Sequence, residues 1–194
     1  MTQNKLIGIT GGIGSGKSEV IAIISRFYPV VKMDDLTEQS YKIAEKELKE
    51  EFGDDIFSGE RVNKARLRDV VFEDSTKLER LNAILHPIII AETLKKAKTL
   101  GNVVFIECPL LFEQNLQSLF DEVWLITADR ERREERIIKR DGVNAEMAKK
   151  KIEALMPDEN KKASSDVIIH NDKDLSELEK EVSRELERLK KRTE

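Results

Sequence analysis

Five short apolar runs punctuate a chain that is otherwise dense in charge. They are Leu6-Ile7-Gly8-Ile9-Thr10, Val30-Val31 leading to Met33, Val103-Val104-Phe105-Ile106, Val123-Trp124-Leu125-Ile126 and Val167-Ile168-Ile169. Their β-branched, non-alternating character is that of strands buried on both faces of a parallel sheet. Between them the apolar positions recur at helical spacing. Val20, Ile23, Ile24 and Phe27 share a face over 19–27, and Leu175, Leu178, Val182, Leu186 and Leu189 do the same near the C-terminus. Strands alternating with helices predict an α/β class with a mainly parallel five-stranded sheet flanked by helices.

The spacing of the runs is uneven. About seventy residues separate Met33 from Val103, far more than one crossover helix needs. The stretch is charged and helical in pattern, so an inserted helical subdomain is expected. Its pieces are a helix over 36–51, "ARLRDVVF" at 65–72, and "KLERLNAILHPIIIAETLKKAKTL" from Lys77. Pro87 disfavours a helical His86, so the last segment is expected to kink or restart there. A second insertion spans 130 to about 159. Asp141-Gly142 marks a turn, which predicts two short helices around it.

Composition narrows the classes. A chain of 194 residues is long enough for one compact unit with insertions. A net charge of −4 gives no support for general nucleic-acid binding. Cys108 is the only cysteine, which rules out an internal disulfide and suits a reducing cytoplasm. No apolar stretch approaches the length of a membrane span, and the first strand begins too early for a signal peptide.

The glycines at the first strand–helix junction carry the sharpest signal. Gly11, Gly16, Lys17 and Ser18 fit G-x-x-x-x-G-K-[ST], in the required order of strand, loop and helix. In such a loop the backbone N–H groups curl around a phosphate, and the helix N-terminus adds positive potential. Gly12, Gly14 and Gly16 permit close backbone approach. Lys17 can reach the β- and γ-phosphates, and Ser18 can place its hydroxyl on Mg²⁺.

Other candidates stand at the carboxyl ends of the strands, where open α/β sheets bind ligands. Asp34 and Asp35 close the second strand; either could accept a proton from an acceptor hydroxyl or serve as a helix cap. Arg132, Arg136 and Arg140 recur every four residues and share a helix face. From 130 to 151 there are nine basic and five acidic side chains, a local excess of positive charge on an acidic protein. Most of these charges read as a solvated face, with Arg136 and Arg140 as the exceptions. Glu107 could hold a water of a Mg²⁺ shell or be an exposed strand-end carboxylate. His86 lies in the inserted domain, His170 at a strand end, and Cys108 reads as packing.

Taken together, the ordered motifs resemble the dephospho-CoA kinase family. "GITGGIGSGKS" looks like its phosphate loop, "VVKMDDL" falls at its Asp-Ala-Asp, and "ARLRDVVF" with "LNAILHPII" resembles its substrate-domain signatures. "PLLFE", "RIIKRD" and "MPDENKKASSDVIIHN" resemble its Pro-Leu-Leu segment, lid and closing segment. The resemblance implies a P-loop kinase-type fold and ATP-dependent phosphorylation of the ribose 3′-hydroxyl of dephospho-CoA, with Mg²⁺. It implies a nucleotide core at 1–34, 99–130 and 160–194, a helical substrate domain at 35–98 and a lid at 131–159. Asp34 becomes the base, with Lys17 and Arg140 beside it in catalysis. Nucleotide contacts fall on Gly12, Ile13, Gly14, Ser15, Gly16, Lys17, Ser18, Glu19, Arg136 and Asn171, and the metal contact on Ser18. Acceptor contacts fall on Asp34, Leu67, His86, Pro109 and Leu110. The implied partners are the two small-molecule substrates, with no nucleic acid and no membrane, and the chain a monomer or weak homo-oligomer. The sequence departs from the family pattern at Lys32, which replaces the first Asp, at Leu155 for Gln, and at Ser165 for Ala. Two rivals remain. One is a kinase for another small acceptor, such as a nucleoside monophosphate. The other is a nucleotide-dependent switch, against which stands the lack of an Asn-Lys-x-Asp motif.

Overall fold

The computed structural model describes residues 4–72 and 74–193. Residues 1–3 and 194, assigned above to the nucleotide core, and residue 73, assigned to the helical domain, lie outside the described residues. The chain forms two compact units, one of residues 1–30 and 100–194 and the other of residues 31–99.

In the first unit, β1 (Lys5–Gly11) leads through the glycine loop into α1 (Lys17–Ile24) and then β2 (Val30–Lys32), during which the chain enters the second unit. The second unit holds a 3₁₀ turn at Met33–Leu36, α2 (Thr37–Ile43), α3 (Glu45–Phe52), the two-residue strands β3 (Phe57–Ser58) and β4 (Arg61–Val62), α4 (Lys64–Phe72) and α5 (Ser75–Ala97). The first unit resumes with β5 (Val103–Glu107), β6 (Glu122–Thr127), α6 (Arg130–Asp141), α7 (Ala145–Glu153), α8 (Asp158–Lys162), β7 (Val167–His170) and α9 (Leu175–Thr193).

The sheet order is β2-β5-β1-β6-β7. Parallel pairing places Ile7 opposite Phe105 and Ile9 opposite Trp124. All five expected strands are present. One face of the sheet contributes Ile7, Ile9, Phe105, Trp124, Ile126 and Ile169 to a core closed by Val20, Ile23 and Ile24 of α1 and by Leu178, Val182, Leu186 and Leu189 of α9. Phe105 and Trp124 meet edge-on at 5.1 Å; burying side chains of this size contributes about 1.5–3 kcal/mol each. Gly8 sits inside β1 because a Cβ there would stand 2.8 Å from Leu111 and 2.9 Å from Phe120, which pack against it. At the N-terminal end of β6, the buried Glu122 accepts from Trp124 Nε1 and from Arg192 Nη2, both at 2.9 Å, and lies 3.4 Å from Lys5.

The second unit has its own core, built from Ala44, Leu48, Ile56, Phe57, Val62, Leu67, Val71, Leu81 and Leu85. Asp74 caps α5 by accepting from the Thr76 N–H at 2.8 Å, a contact worth about 1 kcal/mol.

Several expectations are corrected. α5 does not restart at His86-Pro87: it runs unbroken for 23 residues. Proline removes one bond from the ladder, its ring here faces solvent, and Leu81 and Leu85 with the partly buried Ile84, Ile88 and Ile89 hold the helix on the core from both sides of it. The helix expected over 36–51 is two helices, because the buried Ala44 leaves helical geometry with φ −87° and ψ 10°. α1 stops at Ile24, and Phe27 lies past its end, 64% exposed, rather than on its buried face. Leu175, the first residue of α9, is likewise 58% exposed. The β3–β4 hairpin, α8 and the 3₁₀ turn at Met33–Leu36 follow from no apolar run of useful length.

Candidate active site

The site in the first unit is assembled at the carboxyl end of β1. The loop turns at Gly14 and Gly16, with φ of 79° and 89°, a region that L side chains rarely adopt. Space enforces the same choice: a Cβ on Gly16 would collide with Asn171 Nδ2, and one on Gly12 with the Arg133 guanidinium.

The loop is held from behind by side chains of α6 and of the β7 end. Arg136 Nη1 donates to the carbonyls of Gly14 and Ser15 at 3.2 and 3.3 Å, and its Nη2 to the Asn171 carbonyl at 2.9 Å. The buried Asn171 returns Nδ2 to the Ser15 carbonyl at 3.1 Å. Arg133 Nε donates to the Ile13 carbonyl at 2.9 Å. α1 starts at Lys17 and presents its N-terminal backbone donors to the loop, where no intrahelical acceptor exists for them.

Lys17 spans the loop, its Nζ donating to the Gly11 carbonyl at 2.8 Å and to that of Gly12 at 3.4 Å. Burial holds its pKa below the ordinary lysine value, with the Glu107 carboxylate pulling the other way. Ser15 is buried and its hydroxyl has no partner, a group that an anion's oxygen or bound water would satisfy.

In front of the loop lies a cleft of about 750 Å³, within the size range of small-molecule sites. Gly12, Ile13, Gly14, Gly16, Lys17, Ser18, Glu19, Pro109, Leu110, Arg136 and Arg140 all line it, as do Glu107, Lys139 and Leu155. Four cations, Lys17, Arg136, Lys139 and Arg140, face two carboxylates, Glu19 and Glu107. A protein acidic overall thus keeps a locally basic pocket here, suited to a polyanion.

The arginines divide. Arg132 is exposed, Arg136 is committed to the loop carbonyls, and Arg140 reaches sideways to Asp141, Nε to Oδ1 at 2.7 Å. Lys151 joins Asp141 at 2.6 Å. Arg140 first and Lys151 second hold the Asp141 carboxyl well below the usual carboxylate range. α6 is capped by Gly142, in the left-handed conformation at φ 66°, so Arg140 sits in the last turn of the helix.

The remaining candidates belong to the helical unit or play other parts. Asp34 and Asp35 are exposed in the 3₁₀ turn that follows β2, past the strand end at Lys32 and past Met33 rather than in the strand. Leu67 is 3% exposed and packs in the core of the helical unit. His86 lies in α5, and partial burial lowers its pKa. His170 is exposed, 3.9 Å from Asp172. Cys108 is buried, in keeping with the packing reading.

The sequence reading missed Arg133, Asp158, Lys161 and Glu113. Asp158 accepts from Arg133 and Thr127, and the fully buried Lys161 donates to Glu113 at 2.7 Å. One signal was present for the first of these: Arg133 stands four residues before Ile137, which is fully buried, and so shares its inward face.

Proteins of similar sequence and fold are known. The dephospho-CoA kinase family matches residues 5–177. A dephospho-CoA kinase of Fusobacterium nucleatum is 35% identical over 92% of this chain and 95% of its own length. One from Prochlorococcus marinus is 39% identical over 87% of this chain and 86% of its own. A crystal structure of a Thermus thermophilus protein superposes with a TM-score of 0.83 at 33% identity, covering 96% of this chain and 98% of that one. With most of its length matched and the phosphate loop in place at the strand end, the chain belongs to the dephospho-CoA kinase family.

Proposed function

We propose that the protein transfers the γ-phosphoryl group of ATP to the ribose 3′-hydroxyl of dephospho-CoA, giving coenzyme A and ADP. The observation that carries this reading is the glycine loop with Lys17 at the head of a cleft that gathers four cations, together with the family to which the chain belongs. Phosphoryl transfer asks little covalent chemistry of a protein; positioning and charge neutralisation do most of the work.

The loop residues 12–16 cradle the β- and γ-phosphates, with Lys17 leaving its Gly11 contact for a phosphate oxygen. Ser18, exposed at the start of α1, and Glu107, which lines the cleft, are the groups that would hold Mg²⁺ and its water. Among the described residues no group of three or more His, Cys, Asp or Glu forms a cage. Sparse oxygen donors beside a phosphate site suit Mg²⁺, which usually takes one or two protein ligands plus phosphates. When bound, the ion would neutralise charge that develops on the phosphates during transfer.

Asp34 takes the proton as the 3′-oxygen attacks the γ-phosphorus in line, and the bond to the β–γ bridging oxygen breaks. Arg140 turns from Asp141 to the transferring group, and Arg136 steadies the loop that holds the tail. Glu19 and Asn171 complete the nucleotide side. Pro109 and Leu110, which line the cleft, and His86 of the helical unit serve the acceptor, and Leu67 supports the acceptor domain from within its core. Residues 131–159 act as the lid that excludes water, 35–98 as the acceptor domain, and 1–34, 99–130 and 160–194 as the nucleotide core. The setting is cytoplasmic, and the chain works as a monomer or weak homo-oligomer. Among the described residues no helix is long and apolar enough to cross a membrane.

The test is ADP release measured with ATP·Mg²⁺ and a panel of CMP, AMP, shikimate and dephospho-CoA. Stimulation by dephospho-CoA alone, with phosphate found on the 3′-position, is expected. Stimulation by another acceptor, or hydrolysis that no acceptor enhances, overturns the reading.

A further inference from the structure

Arg133 is the buried cation of α6, with only 9% of its side chain exposed, and its partner Asp158 has 10% exposed. Charges this deep cost stability unless paired and hydrogen-bonded. Both conditions are met on one side of the phosphate loop. Arg133 Nη1 donates to Asp158 Oδ2 at 3.0 Å, and that oxygen also accepts from Thr127 Oγ1 at 2.8 Å. With its guanidinium plane fixed in this way, Nε is aimed at the Ile13 carbonyl, 2.9 Å away.

The loop is cut to fit this side chain. A Cβ on Gly12 would strike the guanidinium and lie 3.1 Å from Asp158 Oδ1, and a Cβ on Gly14 would lie 2.7 Å from the Arg133 carbonyl oxygen. The second oxygen of Asp158 is buried and has no partner, so the carboxylate is anchored through Oδ2 alone.

The consequence follows from peptide geometry. The Ile13 C=O and the Gly14 N–H belong to one planar trans peptide unit and point in opposite directions. Tying the carbonyl back to Arg133 turns the Gly14 N–H the other way, towards the cleft that Gly14 lines. Left untied, this peptide could rotate, because glycine resists little.

We propose that Arg133, oriented by Asp158, is a positioning residue that fixes the Ile13–Gly14 peptide so that the loop presents its N–H to a nucleotide phosphate. The assignment rests on the reading that the loop holds ATP. Arg133 touches the loop's outer side and acts through the backbone. The pair also joins the first turn of α6 to the first residue of α8.

Four variants test this: Arg133→Lys, Arg133→Met, Asp158→Asn and Arg133→Met/Asp158→Asn. Each is measured for ATP Kd by calorimetry, for KM of both substrates, and for Tm. Arg133→Met is expected to weaken ATP binding by roughly tenfold or more, the size of a lost charge-assisted hydrogen bond, with KM for dephospho-CoA unchanged. Lysine cannot make the fork, so Arg133→Lys is expected to restore little. The double variant is expected to recover Tm over Arg133→Met, because it removes the unpaired buried carboxylate, while ATP binding stays weak. Recovery of both together would mean a role in stability alone and overturn the proposal, as would wild-type ATP affinity in Arg133→Met. If the arginine variants do not fold, amide exchange at 12–16 in Asp158→Asn decides: faster exchange supports the proposal and unchanged exchange overturns it. Wild-type protein that fails to bind ATP would instead overturn the reading of the loop.

Discussion

The ammonium of Lys17 lies 2.8 Å from the carbonyl oxygen of Gly11, so the one lysine of the phosphate loop closes the loop on itself before any ligand arrives. This contact keeps a partly buried charge hydrogen-bonded at the lining of the cleft. We expect Lys17→Ala to abolish detectable transfer of phosphate to dephospho-CoA; retained turnover would mean that the loop is not the ATP site.

Lys17 also sets an alkaline limb. Burial holds its pKa below 10.5, with Glu107 opposing. Between the lowered value and 10.5 the unfolded chain binds more protons at this residue than the native one, so this residue's contribution to stability rises with pH across that window. Affinity for ATP runs the other way, because loss of the proton removes the charge that meets phosphate. We therefore expect kcat/KM for ATP to fall at a pH below 10.5, and that limb to vanish from the residual activity of Lys17→Arg.

Asp34 stands exposed in a 3₁₀ turn. Asp34→Asn is expected to lower kcat by at least ~100-fold, the usual size of a general-base effect, with little change in ATP affinity. Near-normal turnover would remove Asp34 as the base.

Gly16 caps α1 at φ 89° against Asn171. Gly16→Ala should cost about 2 kcal/mol or more, from left-handed strain and the collision together. Thermal denaturation and ATP calorimetry should show both losses. The further change Asn171→Ala should relieve the collision and leave the strain.

Glu122 is 4% exposed and serves Trp124, Arg192 and Lys5. Glu122→Ala strands the buried indole N–H. Its two cationic partners are partly exposed and regain water, so the expected cost is about 2–3 kcal/mol. Tm should drop by roughly 5–10 °C, with kinetic constants at 25 °C unchanged, since the residue lies at the end of β6 away from the loop.

How far the chain could be read in advance depended on the kind of signal. The strands were legible because runs such as Val123-Trp124-Leu125-Ile126 have no polar alternation, and Gly11 to Ser18 because its chemistry dictates its spacing. Pro87 misled, since a local rule about one hydrogen bond met a helix face already packed by Leu81 and Leu85. Phe27 misled because helical spacing cannot say where a helix ends. Arg133 was hidden in a run of charges, where a buried arginine looks like its solvated neighbours until the loop carbonyl facing it is known. Asp158 was illegible for the same reason: its partner is 25 positions away in the chain.

The sole thiol of the sequence, Cys108, is 3% exposed, directly after the strand end that carries Glu107. A maleimide can reach this sulfur only when that segment opens, so its labelling rate is a clock for local unfolding beside the cleft. The chain therefore carries a built-in reporter that needs no engineered probe, and ligands that steady the strand end should slow it.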